Sequence, residues 1–187
     1  MTPEEKLLNK ASIYVMPALE DYLGARCLLL NNVFVGLTLA HEAVEKLMKS
    51  LLILEKIQIP HSCHKITELK NLLVIGYPKK YSFLNDAKEF IDRLDKHYNW
   101  RYYDGDPRKR SQNRSPEDLQ PTDNLWIRLY ECYISFIPQI FRYRNYLNSY
   151  LFNSDIKEYT LWSEWLIRDN RAVAEKLVDW EREYKKA

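Results

Sequence analysis

Glycine is scarce in this sequence. The 187 residues contain only four glycines, and eight prolines are the other strong breakers of regular structure. The long stretches between them are rich in Leu, Lys, Glu and Ala, which favour helices. The 14 tyrosines would suit strands, but they are scattered at helical spacing and never alternate strictly. The sequence therefore predicts an all-α protein in which the tyrosines are amphipathic packing residues.

Cysteines and long apolar runs are also scarce. The three cysteines, Cys27, Cys63 and Cys132, are widely spread, which favours buried or free thiols over a disulfide framework. No run reaches the ~18 uncharged residues of a membrane span. Residues 1–6 lack the charged-then-apolar order of a signal peptide. We therefore expect a cytoplasmic protein with no membrane partner.

The chain also has almost no excess of charge of one sign. The chain has 28 basic and 26 acidic residues, and the resulting formal charge of +2 does not demand a nucleic-acid partner. An apolar fraction of 46% and a charged fraction of 29% exclude a disordered chain. A chain of this length can form one hydrophobic core, so we expect a single domain over residues 1–187.

Start and stop signals divide the first third of the chain. Thr2 and Glu5 have the spacing of a capping box, which predicts a helix start. Pro17 is predicted to end this helix and to begin a second one that reaches a turn at residues 31–32. From residue 33 to about residue 56, apolar residues recur at spacings of 3, 4 and 7, which predicts a long helix with a buried face.

The middle of the chain predicts short helices separated by loops. A loop over residues 59–64 precedes a short helix that ends at residues 77–78. A second helix is predicted from residue 84 to about residue 98. Residues 104–121 contain prolines and four basic residues, and we predict a basic polar loop there, the longest break in the chain.

Two further helices are predicted after this loop. Asp123 can cap a helix that continues to Tyr146 and bends near Pro138. An appended C-terminal helix is predicted over residues 155–184. It carries three of the five tryptophans, and we therefore expect it to dock on the rest of the fold.

Three ionisable residues of the long apolar helix form a stripe. His41, Glu45 and Lys49 lie at positions i, i+4 and i+8, so they share one helix face. One interpretation is a solvated face, on which a Glu45–Lys49 pair would add only a few tenths of a kcal/mol. The other is that Glu45 orients Lys49 toward an anionic ligand or a partner subunit. The sequence leaves both open.

Four elements of the chain resemble the pattern of the HEPN domain (higher eukaryotes and prokaryotes nucleotide-binding). In order, they are Ala25-Arg26, residues 43–52, Pro60 with residues 64–69, and Arg101-Tyr102-Tyr103-Asp104. The resemblance covers roughly residues 17–150. It implies an antiparallel bundle of four or five helices, here with the extra C-terminal helix. It also implies frequent homodimers and association with nucleotides or RNA. Many members are metal-independent ribonucleases, and some are toxins paired with a minimal nucleotidyltransferase.

The nuclease motif of that family is altered in this chain. Nuclease members carry Arg followed a few residues later by His on the last core helix. Here the corresponding Arg144 is followed by Ser149, and no histidine occurs after His97. Serine does not titrate near neutrality, so it cannot take over the proton transfer. Arg93 and His97 have a similar spacing but are interpreted as a surface pair.

A metal site is a second possibility that the residue types raise. His61, Cys63 and His64 combine imidazole and thiolate ligands. Their spacing does not match that of structural zinc sites, and no second pair of ligands accompanies them. We therefore expect neither a metal nor a cofactor, and the resemblance places His64 beside the ligand pocket instead.

The segment from Arg101 to Asp104 offers a cation, aromatic rings and a carboxylate. These groups can bind a phosphate, stack on a base and accept hydrogen bonds from a sugar. An ion pair between Arg101 and Asp104 at a helix end is an equally good interpretation. The basic loop is a candidate nucleic-acid contact, although such loops are more often merely solvated. Its candidate residues, with one from the last core helix, are Arg108, Lys109, Arg110, Arg114 and Arg144.

These observations predict a non-catalytic, nucleotide- or RNA-associated binding module that forms a homodimer. The predicted nucleotide-binding residues are Glu45, Lys49, His64, Arg101, Tyr102 and Asp104. One alternative is a metal-independent ribonuclease with a variant site. The other is a helical partner subunit of a toxin–antitoxin or nucleotidyltransferase system, in which the charged stripe contacts protein.

Overall fold

The computed structural model describes residues 2–33, 35–100, 116–138, 147, 151 and 163–186. These residues form helices and connecting turns with no β-strand among them, and the all-α prediction is confirmed. Several residues singled out from the sequence lie outside the described residues. They are Arg101, Tyr102, Asp104, Arg108, Lys109, Arg110, Arg114, Arg144 and Ser149.

The first helix, α1, spans Pro3–Leu30 and begins at the predicted capping box. The backbone N–H of Glu5 donates to the Thr2 hydroxyl over 3.2 Å. The backbone N–H of Thr2 donates to the Glu5 carboxylate over 2.7 Å. Two N–H groups that the helix itself cannot satisfy are thus paired reciprocally.

The predicted helix break at Pro17 is wrong, because α1 continues through it. Proline lacks an N–H, so the carbonyl of Ile13, four residues earlier, loses its helical donor. Ile13 is 71% exposed, and water can hydrate its carbonyl instead. Val15 and Ala18 on either side of the proline are fully buried in one core. Packing of this helix therefore outweighs the local preference of proline.

The second helix, α2, spans Gly36–Leu54 and confirms the long helix with a buried face. It packs along α1 after a tight turn in which Asn32 has a positive φ of 54°. A Cβ at Gly36 would lie 2.9 Å from the side chain of Leu29 and 3.1 Å from the carbonyl oxygen of Ala25. Glycine at the start of α2 thus permits the close approach of the two helices.

Three shorter helices follow. They are α3 (Ile66–Gly76), α4 (Phe83–Asp86) and α5 (Lys88–Trp100). Helix α3 ends at Tyr77, as the sequence predicts. The single helix predicted over residues 84–98 is instead two helices, because α4 ends at Ala87 after one turn. Helices α3 and α5 both pack against α2, which places α2 at the centre of the bundle.

The sixth helix, α6, spans Leu119–Ile134 after a 3-10 turn at Pro116–Asp118. The loop predicted over residues 104–121 therefore extends too far along the chain. Pro121 lies in the first turn of α6, where its missing N–H would have no acceptor within the helix. The helix also does not continue to Tyr146 without a break. It ends at Ile134, and Pro138 lacks the N–H that would donate to the Ile134 carbonyl.

The prediction that Asp123 caps α6 is wrong, because this residue lies buried within the helix. Its carboxylate forms an ion pair with Arg26 of α1, whose side chain is fully buried. The hydroxyl of Tyr22 donates to the same carboxylate over 2.7 Å. Asn170 in turn donates to the Tyr22 oxygen over 3.0 Å. This polar network joins α1, α6 and the C-terminal segment.

The C-terminal segment docks on the bundle, as predicted, but is not one unbroken helix. Residues 163–167 are helical, a turn follows, and the last helix, α7, spans Arg171–Lys186. Asp169 has a positive φ of 54° in this turn. The side chain of Asn170 then accepts from the N–H of Val173 over 3.1 Å and caps α7. Arg26 secures the segment by donating to the carbonyl of Trp165 over 2.7 Å.

Aromatic rings fill the centre of the bundle. Tyr22 stacks on Trp126 with ring centroids 4.1 Å apart, and Trp126 stacks on Tyr130 at 4.9 Å. Tyr81 and Tyr133 are also buried, which confirms the predicted packing role for these four tyrosines. None of the described helices is long and apolar enough to cross a membrane.

Candidate functional site

The predicted stripe of His41, Glu45 and Lys49 lies on α2, but it does not face water. His41 is fully buried, Glu45 is 7% exposed, and the Lys49 side chain is 14% exposed. The Lys49 ammonium donates to Oε1 of Glu45 over 2.7 Å. Since this pair is largely desolvated, the solvated-face interpretation is wrong for it. A buried carboxylate instead holds a partly buried lysine in one position.

His64 completes this cluster from the loop before α3. Its Nδ1 lies 3.1 Å from the same Oε1 of Glu45. The His64 side chain is 58% exposed, so the cluster opens to the surface at this residue. The structure thus brings together three of the six residues predicted to bind a nucleotide. The other three, Arg101, Tyr102 and Asp104, lie outside the described residues.

Asp95 of α5 is an organising residue that the sequence analysis missed. Its carboxylate accepts from the backbone N–H groups of Ile66 and Thr67, each over 3.0 Å, and from the Thr67 hydroxyl over 2.5 Å. It therefore caps the N-terminus of α3 from another helix. Burial opposes ionisation, but the bonds from His41, Thr67 and Ile66 outweigh it and hold the pKa of Asp95 below its usual value.

One sequence signal points to such a cap. The residue at the N-cap position of α3 is Lys65, which has no side-chain acceptor and makes no capping bond. Helices that begin without a local cap need an acceptor from elsewhere. The sequence does not say which carboxylate supplies it, because the donor and acceptor segments are 28 residues apart or more.

His41 links Asp95 to the Glu45 cluster. Its Nε2 lies 3.0 Å from Asp95, and a carboxylate only accepts, so Nε2 donates this bond. The opposite ring nitrogen, Nδ1, lies 3.9 Å from Oε2 of Glu45 and has no hydrogen-bond partner within the part of the chain that the structure describes. The ring stacks on Tyr98 with centroids 4.0 Å apart. These contacts fix the imidazole between two carboxylates.

A cleft of about 560 Å³ adjoins Lys49. It lies between the first turns of α1, the C-terminal end of α2 and the segment that follows α2. We call it the lysine cleft, because Lys10, Lys49 and Lys56 line it and no carboxylate does among the described residues. Its other lining residues are Leu7, Tyr14, Ile53, Ile57, Gln58, Ile59, Pro60, Ser62 and Cys63. The sequence analysis missed Lys10, Tyr14 and Lys56 as site residues.

Arg93 and His97 of α5 do not form the predicted surface pair. Arg93 pairs with the buried carboxylate of Asp118. His97 is itself buried, and burial together with the charges of Arg93 and Lys96 lowers its pKa to about 4. The interpretation of these two residues as an ordinary exposed pair is therefore wrong.

The residues considered for a metal site have other roles. His61 is exposed, and its Nδ1 lies 2.8 Å from the Ser62 hydroxyl. Burial raises the pKa of the Cys63 thiol, which lies 3.5 Å from a carboxylate oxygen of Glu68. Within the part of the chain that the structure describes, no group of three or more His, Cys, Asp or Glu side chains is arranged to hold a metal ion. All three cysteines are free.

The fold and the site together define a class of protein: an all-helical bundle whose central helix presents a carboxylate-held lysine beside a cationic cleft. The family model of the HEPN domain matches residues 32–122. The resemblance seen in the sequence is therefore confirmed over this segment. The matched segment runs from the turn before α2 into the first turn of α6, so it includes Glu45, Lys49 and His64. No curated protein and no solved structure matches the chain.

Proposed function

We propose that this protein is a non-catalytic module that binds nucleotides or RNA, with Lys49 as its principal anion-binding group. The observation that carries the proposal is the position of Lys49, which Glu45 holds at the edge of the lysine cleft. The HEPN domain supports a nucleotide- or RNA-related role. In this proposal Arg101, Tyr102 and Asp104 complete the site, as the sequence predicts.

Lys49 has the hydrogen-bonding capacity that this role needs. An ammonium group has three donors, and one of them is used on Glu45. The remaining donors can reach an anion on the open side of the cleft. Because Glu45 also accepts from His64, its position does not depend on Lys49 alone. The lysine is therefore oriented before a ligand arrives, which lowers the entropy lost on binding.

Calorimetric titration with a panel of mono- and dinucleotides and a short single-stranded RNA tests this proposal. We expect Lys49→Ala and Arg101→Ala each to weaken binding by about ten- to hundredfold, since a charge-assisted hydrogen bond contributes about 1.5–3 kcal/mol. Lys79→Ala is the matched control, because Lys79 is an exposed lysine outside the cleft. Circular dichroism of each variant verifies folding.

Two results of this titration would contradict the proposal. The first is wild-type protein that binds none of the nucleotides and no RNA. The second is equal affinity of the wild type, Lys49→Ala and Arg101→Ala for every probe. Either result would mean that the Glu45–Lys49 pair is a structural ion pair only.

We further predict that the purified protein does not cleave RNA at neutral pH without a metal ion. Ser149 occupies the position at which nuclease members of the family carry histidine, and it cannot exchange a proton near neutrality. Incubation with end-labelled RNA in the presence of EDTA measures this directly. Ser149→His is the informative companion variant. Specific cleavage by the wild type that disappears in Arg144→Ala would favour the ribonuclease alternative.

We also propose that the protein is a homodimer, since HEPN domains often dimerise. Large apolar side chains remain exposed on the described surface, including Ile13, Val35 and Ile75. Light scattering coupled to size-exclusion chromatography at tens of micromolar should give twice the 22.5 kDa mass of the chain. A mass that stays at that of one chain as the concentration rises would refute the dimer.

A further inference from the structure

The lysine cleft has an unusual balance of charge. Its three lysines come from α1, α2 and the segment after α2, and no aspartate or glutamate of the described ranges lines the same space. Lys10 and Lys56 are exposed, and neither forms an ion pair with a carboxylate in the described part of the chain. Elsewhere lysines do find such partners, as in the pairs of Lys80 with Glu55 and Lys185 with Glu181. Lys49 is paired with Glu45, so the positive charges that remain uncompensated among the described residues are those of Lys10 and Lys56.

Several apolar side chains also line the cleft, with one aromatic ring among the described lining residues. Leu7, Lys10 and Tyr14 follow one another at helical spacing on a single face of α1. Across from them lie Ile53 of α2 and the segment that contains Ile57, Ile59 and Pro60. A ligand that fits both features has a flat, weakly polar part and several negative charges.

We propose that the lysine cleft binds a single nucleoside polyphosphate, with its base against Tyr14 and its phosphates held by Lys10, Lys49 and Lys56. The inference rests on the proposed function and specifies its ligand. A volume of about 560 Å³ lies within the range of small-molecule sites, roughly 300–1,000 Å³. It suits one nucleotide better than a nucleic-acid chain, whose binding sites span several nucleotides.

Attraction to the dipole of α2 does not explain why all three lysines lie at this cleft. Helix α2 ends at Leu54, and the partial negative charge of its C-terminus attracts a nearby cation such as Lys56. This effect is confined to the last turn of a helix. Lys10 lies on the other helix, in the N-terminal half of α1. Lys10 and Tyr14 also precede the segment that matches the HEPN model, so this part of the cleft lies outside the matched residues.

Titration calorimetry with adenosine, AMP, ADP and ATP tests the inference, with a short 5′-hydroxyl RNA as the competing probe. We expect affinity to rise with the number of phosphates and adenosine to bind weakly or not at all. Lys10→Gln and Lys56→Gln should each weaken ATP binding by about tenfold, and Tyr14→Leu should weaken ATP, ADP and AMP by the same factor. Lys79→Gln is the matched control and should change nothing.

The outcomes separate this inference from the proposed function. Nucleotide binding that depends on Lys49 but is unchanged in Lys10→Gln and Lys56→Gln overturns the inference and leaves the proposed function standing. Binding of the RNA without binding of ATP has the same meaning. Absence of binding to every probe by the folded wild-type protein overturns both.

Discussion

Replacement of Arg26 with methionine is expected to destabilise the protein by about 3–5 kcal/mol, because it leaves a buried charge without its partner. Arg26 and Asp123 are both buried and form an ion pair. The guanidinium also donates to the backbone carbonyls of Trp165 and Arg168. Methionine fills similar space but satisfies none of these acceptors. Urea denaturation followed by circular dichroism measures the loss as a lower midpoint.

A second variant separates the ion pair from simple packing. In the double variant Arg26→Met with Asp123→Leu, the uncompensated carboxylate is gone, so part of the lost stability should return. Recovery is incomplete, since the Tyr22 hydroxyl then loses its acceptor. Arg171→Met, at an exposed position of α7, is the control and should change stability little. A cost below about 1 kcal/mol for Arg26→Met would contradict this account.

Replacement of Asp95 with asparagine is expected to cost about 2–4 kcal/mol at neutral pH, since it weakens a helix cap and several charge-assisted bonds at once. The Asp95 carboxylate serves the N–H groups that begin α3, the Thr67 hydroxyl and the His41 ring. Asparagine keeps one oxygen and loses the charge. Glu89→Gln on the exposed side of α5 is the matched control.

The effect of Asp95 should also depend on pH. The folded protein holds the pKa of this carboxyl below its unfolded value. At pH values above the ordinary aspartate pKa of about 3.9, its ionised form therefore stabilises the fold. This contribution is lost as the pH falls toward the lower pKa that the carboxyl has in the folded protein. The stability difference between the wild type and Asp95→Asn should shrink below about pH 4. A difference that stays constant from pH 7 to pH 2.5 would contradict the assignment.

Local patterns in the sequence predict much of the helical fold. The capping box at Thr2 and the apolar period of α2 depend on neighbours within a few residues, and both predictions are confirmed. The predictions for Pro17 and Asp123 are wrong because distant partners decide them. Pro17 is held in a helix by packing of α1, and the partner of Asp123 is 97 residues away in the chain. The residue types at these two positions do not indicate which distant residues they will contact.

In the candidate site, too, local features are predicted from the sequence and contacts between distant segments are missed. The spacing of Glu45 and Lys49 predicts their contact, and the resemblance to HEPN domains adds His64, which the structure places on the same carboxylate oxygen. Asp95 and the lysine cleft are missed, because each joins segments that meet only in the folded chain. The solvent exposure of a helix face also cannot be predicted from the spacing of its residues alone. The stripe that includes His41 reads equally well as solvated or buried until its neighbours are known.

The contacts of Asp95 also bear on how quickly a ligand can be captured. Through His41 and the first turn of α3, this one carboxylate connects α2, α3 and α5. The contacts that fix His41 between Asp95 and Glu45 therefore form when the chain folds, so binding of the proposed ligand should need no rearrangement of these helices. Association with a small anion should then be set by diffusion and by the charge of the lysines, so its rate constant should fall as salt is added.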